Sequence, residues 1–275
     1  MAKSKPSATF KSITKARGVI IDLLEHGWAA HRIHAYGEED VDDAIHRLKV
    51  ISEKLGRKIS VTAFFVTCWA STVANHKILQ AYRINKRNMI IFDEVDCVVN
   101  IEKDIEGRKV PTSYIVRNAD KKNVIEISDE IREAQQSKSD SAVSTSSKNK
   151  QSKARFLLKF PRFMRKFFVK RMVKNPYMKK ELYGTIGLSS IGMFTMGTGS
   201  AISLTVHASS IIIGGIGKRP WVVNDKVVPR YAYTGTITMD HDLVDGGPAA
   251  RAIAEFRTKT RTAYGLDEIE KKLGL

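Results

Sequence analysis

The stretch TMDHDLVDGGPAARAI, residues Thr238–Ile253, places a histidine at the end of an alternating run that is typical of a β-strand. Asp245, Gly246 and Gly247 follow the histidine, and a Pro-Ala-Ala segment that is typical of a helix start comes next. Glycine allows a chain to turn without a clash of a Cβ atom. The stretch therefore predicts a strand-to-helix corner that carries a titratable ring and a carboxylate.

His241 is the residue of this corner that can exchange a proton near neutral pH, which suits a general base acting on a thiol or a hydroxyl. Such a base must be held in one orientation, and Asp245 could fix the corner, directly or through an arginine. The pattern His-x-x-x-Asp-Gly also occurs by chance, so the alternative is a turn with an incidental histidine. These residues alone leave both interpretations open.

Helical and strand-like segments are mixed along the rest of the chain, without an internal repeat. Helices are predicted over residues 13–25, 42–55, 61–76, 123–135 and 248–264, and strands over 31–41, 87–92, 95–101, 114–117, 184–190, 201–206, 209–216 and 229–239. A hairpin turn is predicted at Asn224-Asp225. Several strands are adjacent in sequence, so we expect an α+β or mixed α/β fold of two layers, with a mixed sheet flanked by helices. One domain is expected over residues 1–275.

Several classes of protein are disfavoured by what the sequence lacks. The N-terminus has no apolar stretch of a secretory signal, and no apolar run reaches membrane-spanning length. Cys68 and Cys97 are too few for a disulfide framework, so we expect reduced core residues in a cytoplasmic protein. No zinc-ligand spacing, P-loop or GxGxxG motif is present, which argues against a metal or dinucleotide site.

The motif HDLVDG, followed by AARAI, closely resembles the terminal motif of the acyltransferase catalytic domain of 2-oxo acid dehydrogenase complexes. That family shares its fold with chloramphenicol acetyltransferase. The resemblance continues upstream in the same order as in the family. It includes SITKARGVIIDLL (residues 12–24), IVRNADKKNVIEISDEI (115–131), GTIGLSSIGMF (184–194) and IIIGGIGK (211–218). It therefore covers nearly the whole chain, apart from an insertion at about residues 137–180.

The resemblance implies a coenzyme A-dependent acyltransferase that moves an acyl group between a thioester and a thiol or hydroxyl acceptor. His241 would be the general base, and Ser189 would donate a hydrogen bond to the oxyanion, a contribution typically worth about 3 kcal/mol. Asp245 would hold the corner, with Arg17 and Gly246 supporting it. Alternatively, Ser189 bonds to backbone and Arg17 is a solvated helix charge. The family forms homotrimers with each site between two subunits. The rival function is a non-catalytic trimeric scaffold, or a membrane- or partner-binding protein, that retains the fold.

The chain also departs from the family pattern. No lipoyl domain or subunit-binding domain is expected, because nothing before Ser12 has room for either. Asp242 follows the histidine where the family usually has arginine, and TVHAS (residues 205–209) replaces a proline-containing turn. The C-terminal segment DEIEKKLGL is charged, unlike the apolar tail that joins trimers into cubic cores. These departures favour acyl transfer by a free trimer and leave the acyl donor and acceptor open.

The net charge of +17 belongs mainly to the insertion. Between Ser141 and Lys180 there are thirteen Lys or Arg residues and no Asp or Glu, which leaves about four positive charges on the rest of the chain. Residues 137–151 are rich in Ser and Lys and predict a flexible linker. Residues 155–180 predict a basic amphipathic helix with one apolar face. That face comprises Phe163, Met164, Phe167, Phe168 and Met172.

Three interpretations of this basic helix remain open. It could bind an anionic membrane surface, which would place the protein peripherally at the inner membrane surface. The same cations could recruit an acidic carrier protein or the phosphates of coenzyme A. Alternatively, its apolar face packs on its own trimer. Nucleic acid is not an expected partner, because no recognition motif accompanies the charge.

Overall fold

The computed structural model describes residues 8–105, 108–137, 143–144, 162–192 and 199–275. The helices are α1 (Lys15–Trp28), α2 (Asp42–Lys54), α3 (Val61–Asn75), α4 (Val124–Gln136), α5 (Arg162–Lys174), α6 (Pro176–Tyr183), α7 (Gly246–Arg261) and α8 (Asp267–Leu273). The strands are β1 (Arg32–Asp40), β2 (Tyr82–Arg83), β3 (Met89–Ile90), β4 (Cys97–Ile105), β5 (Arg108–Val116), β6 (Val143–Ser144), β7 (Ile186–Ser190), β8 (Ser209–Val223) and β9 (Lys226–Asp240).

The centre of the fold is a seven-stranded mixed sheet in the order β1-β9-β8-β7-β4-β5-β6. β7 lies between β4 and β8 and is parallel to both, whereas β9 is antiparallel to its neighbours β1 and β8. β2 and β3 form a separate small hairpin. A central strand with neighbours on both sides is buried, which explains why Ile186 and Leu188 of β7 are inaccessible to solvent.

Helix α3 forms the middle of the core because it is apolar on all sides. It begins at Ser60, whose side chain accepts a hydrogen bond from the Ala63 amide. α3 packs against α4 and α7, which in turn lie on the sheet. Trp69 contacts Phe256 of α7 edge-to-face, and Phe65 contacts Tyr233 of β9 in the same way. These contacts fix α7 relative to β9, and α7 follows the predicted corner directly.

Local signals in the sequence set several element ends. Asn123 and Glu126 form a capping box at the start of α4, near the predicted start at residue 123. Asn224 and Asp225 both have positive φ, 49° and 60°, as a two-residue hairpin turn between β8 and β9 requires. The predicted hairpin is therefore confirmed. Cys68 and Cys97 are free and buried, as expected for core residues, and burial raises the pKa of both thiols.

The strand predicted over residues 201–206 is wrong, because this segment has no regular secondary structure. The guanidinium of Arg32 donates hydrogen bonds to the carbonyls of Thr205 (2.8 Å) and His207 (2.6 Å), so these groups are occupied by a side chain. Gly27 of α1 also lies against this segment, and a Cβ there would be 2.8 Å from the Thr205 carbonyl oxygen. The hydrogen bonds from Arg32 and the close packing of Gly27 thus prevent the strand that the apolar alternation predicted. β3 is likewise shorter than predicted, and β5 is longer.

The described residues of the segment predicted to be an insertion form mainly helices α5 and α6, while most of the predicted linker lies outside the described residues. α5 packs against α1 and α6. Val169 is its most buried described side chain, and Phe167 is 64% exposed. The predicted single apolar face is therefore split, because Phe167 lies on the solvent side, and Phe163 lies outside the described side chains. Among the described residues, no helix is long and apolar enough to span a bilayer.

Candidate functional site

The predicted strand-to-helix corner is present between β9 and α7. β9 ends at Asp240, which pairs with Arg32 of β1, and α7 begins at Gly246. The Asp240 carbonyl accepts hydrogen bonds from the amides of Leu243 and Val244, both at 3.0 Å, so the intervening residues form a tight turn. The amide of His241 donates to the carbonyl of His31 at 2.8 Å. The backbone of the histidine is thereby held on both sides.

The ring of His241 is oriented by a backbone carbonyl. Its Nδ1 lies 3.1 Å from the carbonyl oxygen of Val244. A carbonyl oxygen can only accept, so Nδ1 carries the proton and Nε2 of the neutral ring keeps its lone pair. The residue is exposed, which leaves Nε2 accessible to a reactant. A neutral ring with one defined tautomer is chemically suited to accept a proton at Nε2.

Asp242, which stands where the family usually has arginine, accepts hydrogen bonds from two side chains. His31 Nδ1 donates to its Oδ1 at 2.9 Å, and Arg83 Nη1 donates to its Oδ2 at 2.6 Å. The hydrogen bond from His31, followed by the charge of Arg83, lowers the pKa of the Asp242 carboxyl. Both oxygens of this carboxylate therefore tie the turn to β2 and to the residue before β1.

Asp245 and Arg17 do not form an ion pair in this chain. Asp245 is the N-cap residue of α7, but its exposed side chain makes no capping hydrogen bond. Arg17 is also exposed, and its amide donates to the Thr14 hydroxyl at 3.2 Å. Within the described ranges, neither side chain pairs with an oppositely charged group. The support that Arg17 was predicted to give to Asp245 stays a prediction.

The steric reason predicted for the two glycines of the corner is wrong. A Cβ built at Gly246 meets no heavy atom within 4 Å, and one at Gly247 meets Arg251 Nη1 at an ordinary 3.6 Å. Neither glycine has a positive φ. This chain alone therefore does not require glycine at Gly246 or Gly247.

Ser189 lies on β7 within a row of polar side chains that crosses three strands. Asn100 Nδ2 donates to Ser189 Oγ at 3.4 Å, and the Ser113 hydroxyl donates to Asn100 Oδ1 at 3.0 Å. Ser189 Oγ is thus an acceptor in this network, and its own proton remains available to a further acceptor. Asn100 and Ser113 were not predicted as site residues, because they reach Ser189 only through two registers: that of β4 with β5, in which the two residues are opposite each other, and that of β4 with β7.

One copy of the chain does not bring Ser189 and His241 together. Ser189 pairs with Ile212 of β8, and Ile212 pairs with Thr236 of β9, five residues before His241. A strand advances about 3.3 Å per residue and neighbouring strands are about 4.8 Å apart, so the two Cα atoms lie roughly 19 Å apart. Two side chains at that separation cannot contact the same reacting carbonyl.

His207 is a buried structural histidine. Its Nε2 donates to the Tyr183 carbonyl at 2.6 Å, and its Nδ1 accepts from the Thr205 hydroxyl at 2.6 Å. Burial lowers its pKa to about 3, against which the hydrogen bond to Tyr183 acts only in part. The ring is therefore neutral. It joins α6 to the segment that Arg32 holds beside the corner.

Helix α6, at the end of the predicted insertion, also packs beside the corner. The ammonium of Lys179 lies 3.9 Å from the centre of the Tyr82 ring. Burial, and then the charge of Arg32, lower the pKa of Lys179 to about 8, although the charge of Asp240 acts in the opposite direction. Among the described residues, no group of three or more His, Cys, Asp or Glu is arranged to hold a metal ion.

Three comparisons with known proteins agree with one another. A family model described as 2-oxoacid dehydrogenases acyltransferase (catalytic domain) matches residues 6–153 and 164–261. The dihydrolipoyllysine-residue acetyltransferase component of the pyruvate dehydrogenase complex of Zymomonas mobilis is 31% identical over 83 residues. That alignment covers 30% of this chain and 19% of the relative, so the chain matches about a fifth of its length.

Solved structures show the same fold at low sequence identity. A probable dihydrolipoamide acetyltransferase from Listeria monocytogenes has a TM-score of 0.69 at 17% identity, covering 94% of this chain and 96% of that one. The dihydrolipoamide acetyltransferase of Azotobacter vinelandii has a TM-score of 0.67 at 15% identity, covering 100% and 96%. The predicted mixed sheet flanked by helices is confirmed as the architecture of these acyltransferase structures.

Proposed function

Because the chain belongs to the family of 2-oxoacid dehydrogenase acyltransferase catalytic domains, we propose that it is a coenzyme A-dependent acyltransferase. It moves an acyl group between a thioester and a thiol or hydroxyl acceptor. The observation that carries the proposal is the state of His241, with a protonated Nδ1 on the Val244 carbonyl and an accessible Nε2. A histidine prepared in this way at the family's terminal motif is suited to deprotonate a thiol.

The proposed reaction follows from these groups. His241 Nε2 takes the proton of the coenzyme A thiol, and the thiolate sulfur attacks the carbonyl carbon of the acyl donor. The carbonyl oxygen becomes an oxyanion, which accepts a hydrogen bond from the Ser189 hydroxyl. When the tetrahedral intermediate collapses, the bond to the donor's leaving group breaks, and that group takes the proton from His241. The histidine returns to its starting tautomer.

The spacing of the residues supports these roles. The Azotobacter vinelandii structure was used to investigate a serine, a histidine and an asparagine in the catalytic mechanism of that enzyme. In that protein the histidine follows the serine by 52 positions, and the asparagine follows the histidine by four. Ser189, His241 and Asp245 have the same two spacings in this chain. Aspartate thus occupies the position of that asparagine, where we propose a positioning role.

The separation of about 19 Å estimated from strand geometry requires Ser189 and His241 to come from different subunits. An apolar stripe on α1 supplies a surface for association, because Ile20, Leu24 and Trp28 are all exposed and share one helix face. Arg17 lies on the same face, which would direct its guanidinium towards a neighbouring chain. We therefore propose a homotrimer in which each site lies between two subunits.

A free trimer is proposed because the charged C-terminal helix α8 binds its own chain. Arg47 of α2 donates to both carboxylate oxygens of Glu270, at 2.7 and 2.6 Å. This bidentate contact engages α8 within the subunit. A trimer of 30.8 kDa chains would have a mass of about 92 kDa in solution.

Subunit complementation tests the proposed site. Ser189→Ala and His241→Ala proteins are each expected to lose acyl exchange between a short acyl thioester and labelled coenzyme A. After denaturation and refolding as an equal mixture, about a quarter of the sites in random trimers would combine an intact Ser189 from one chain with an intact His241 from another. Exchange should therefore recover to about a quarter of the wild-type rate.

The controls separate assembly from catalysis. Each variant refolded alone should give a trimer of the same mass and no exchange. Mixed trimers without recovered exchange would contradict a site shared between subunits. Wild-type trimers that exchange no acyl group would favour the rival function, a non-catalytic scaffold.

A further inference from the structure

One face of α5 presents cations around an exposed aromatic ring. Phe167, Lys170, Arg171 and Lys174 are all exposed and follow the spacing i, i+3, i+4, i+7, which places them on one side of the helix. The opposite side contains the buried Val169 and packs within the chain. Folding therefore does not use the cationic face. No carboxylate lies between residues 141 and 180 to neutralise it.

The surface continues onto α6 and onto the β2–β3 hairpin. Tyr177 and Met178 of α6 are 67% and 40% exposed and directly follow the end of α5. The Tyr177 ring lies 5.9 Å from the ring of Phe92, just after the hairpin, so α6 and the hairpin are neighbours. The hairpin adds further exposed cations and apolar side chains to this surface. They are Ile84, Lys86, Arg87, Met89 and Ile91.

We propose that this cationic and apolar surface, formed by α5, α6 and the β2–β3 hairpin, binds the protein peripherally to anionic lipid bilayers. Cations attract the protein to the negative surface potential of such a bilayer. Exposed aromatic and aliphatic side chains among the cations can then insert between headgroups. The combination matches the properties of an interfacial helix, whose charged side chains stay in the aqueous layer while apolar ones enter the acyl boundary.

An anionic bilayer fits this surface better than a second copy of the chain. The opposing charges in a bilayer are continuous, whereas a second copy carries the same net charge of +17. Two copies facing each other through this surface would repel. Two carboxylates that follow the hairpin are already engaged, since Glu94 binds Lys180 at 2.5 Å and Asp93 binds Lys77 at 2.7 Å. The remaining cations are therefore free to face lipid phosphates.

Vesicle sedimentation with the full-length protein tests the proposal. We expect binding to vesicles of phosphatidylcholine with about a third phosphatidylserine and no binding to phosphatidylcholine alone. Each well-placed cation contributes about a fivefold increase in partition coefficient, so the triple variant Lys170→Gln, Arg171→Gln, Lys174→Gln should bind roughly a hundredfold more weakly. Raising salt from about 0.1 M to about 0.5 M should weaken wild-type binding, because exposed charges are then screened.

A matched variant removes the same number of charges elsewhere. Lys54→Gln, Lys58→Gln, Lys271→Gln alters exposed lysines at and near the end of α2 and on α8. This variant should bind vesicles within about threefold of wild type.

Equal loss in both triple variants would show a general charge effect and overturn the assignment of this surface. So would wild-type protein that ignores anionic vesicles or binds neutral ones equally. A change of oligomeric mass in the α5 variant would identify a subunit interface instead. The lipid-composition and salt measurements use wild-type protein and decide the matter even if a variant does not fold.

Discussion

The His241 turn and the α5–α6 segment achieve their proposed roles by opposite means. At the turn, a few backbone hydrogen bonds fix one ring, and the carbonyl of Val244 selects its tautomer. On α5, several interchangeable cations share one solvent face, and no single one occupies a unique geometry. A function that depends on one oriented atom fails with one substitution, whereas one that depends on summed charge declines in steps. The two regions should therefore respond to mutation in different ways.

The largest effect is expected at the turn. His241→Ala removes the proposed base, and general base catalysis typically contributes about 10²–10⁴-fold to the rate. Acyl exchange with labelled coenzyme A should fall by at least that factor. Binding to anionic vesicles should remain within about twofold, because the substitution leaves the surface cations in place.

Two controls limit the interpretation of this loss. Circular dichroism and the solution mass of the His241→Ala protein should match wild type, since the ring is exposed and packs little. Activity within a few-fold of wild type would remove His241 from the mechanism and leave the turn as a structural corner.

The intermediate effect concerns His207, which connects the two regions. It donates to Tyr183 of α6, and its own carbonyl accepts from Arg32 beside the corner. Its pKa falls from 6.5 to about 3 in the folded chain, so between these values the unfolded state binds a proton that the folded state does not. The free energy of unfolding is unaffected above pH 6.5 and decreases as the pH falls below it. At pH 5 the expected loss is about 2 kcal/mol.

Urea denaturation at pH 7 and at pH 5 measures this loss, and His207→Gln supplies the comparison. The glutamine protein should be less stable at pH 7 by about 1–3 kcal/mol, because a buried hydrogen-bonding network is disturbed. Its stability should then change less between the two pH values, since glutamine does not titrate. An equally steep change in both proteins would assign the acid sensitivity to other groups.

The same contrast explains what the sequence could predict. The corner was predictable because its signals are local: a strand pattern, a turn and a helix start within sixteen residues. The buried helix α3 and the Asn224-Asp225 hairpin are local in the same sense. The partners of Ser189 were not predictable, because Asn100 and Ser113 reach it only through the registers of β4 with β5 and of β4 with β7.

Long-range contacts also decided the elements for which the prediction is wrong. Residues 201–206 have an apolar alternation, but Arg32, more than 170 positions away in the chain, occupies the carbonyls of Thr205 and His207. The sequence pattern places Phe167 on an apolar helix face, but α1 and α6 cover the other side of α5. A period in the sequence indicates which residues share a face, whereas the tertiary structure decides whether that face is covered.

The smallest effect is expected when the surface cations are removed and only catalysis is measured. Lys170→Gln, Arg171→Gln, Lys174→Gln alters exposed side chains that make no ion pair among the described residues, so the free energy of unfolding should change by less than about 0.5 kcal/mol. Exchange of a short, soluble acyl thioester in the absence of vesicles should stay within about twofold of wild type, because none of the three side chains bonds to the turn or to Ser189. Solution turnover and urea denaturation measured on the same preparation check both expectations. A large loss of turnover without vesicles would mean that these cations serve the reaction itself, for instance by binding the phosphates of coenzyme A. The His241 turn and the cationic face of α5 would then no longer have separate functions.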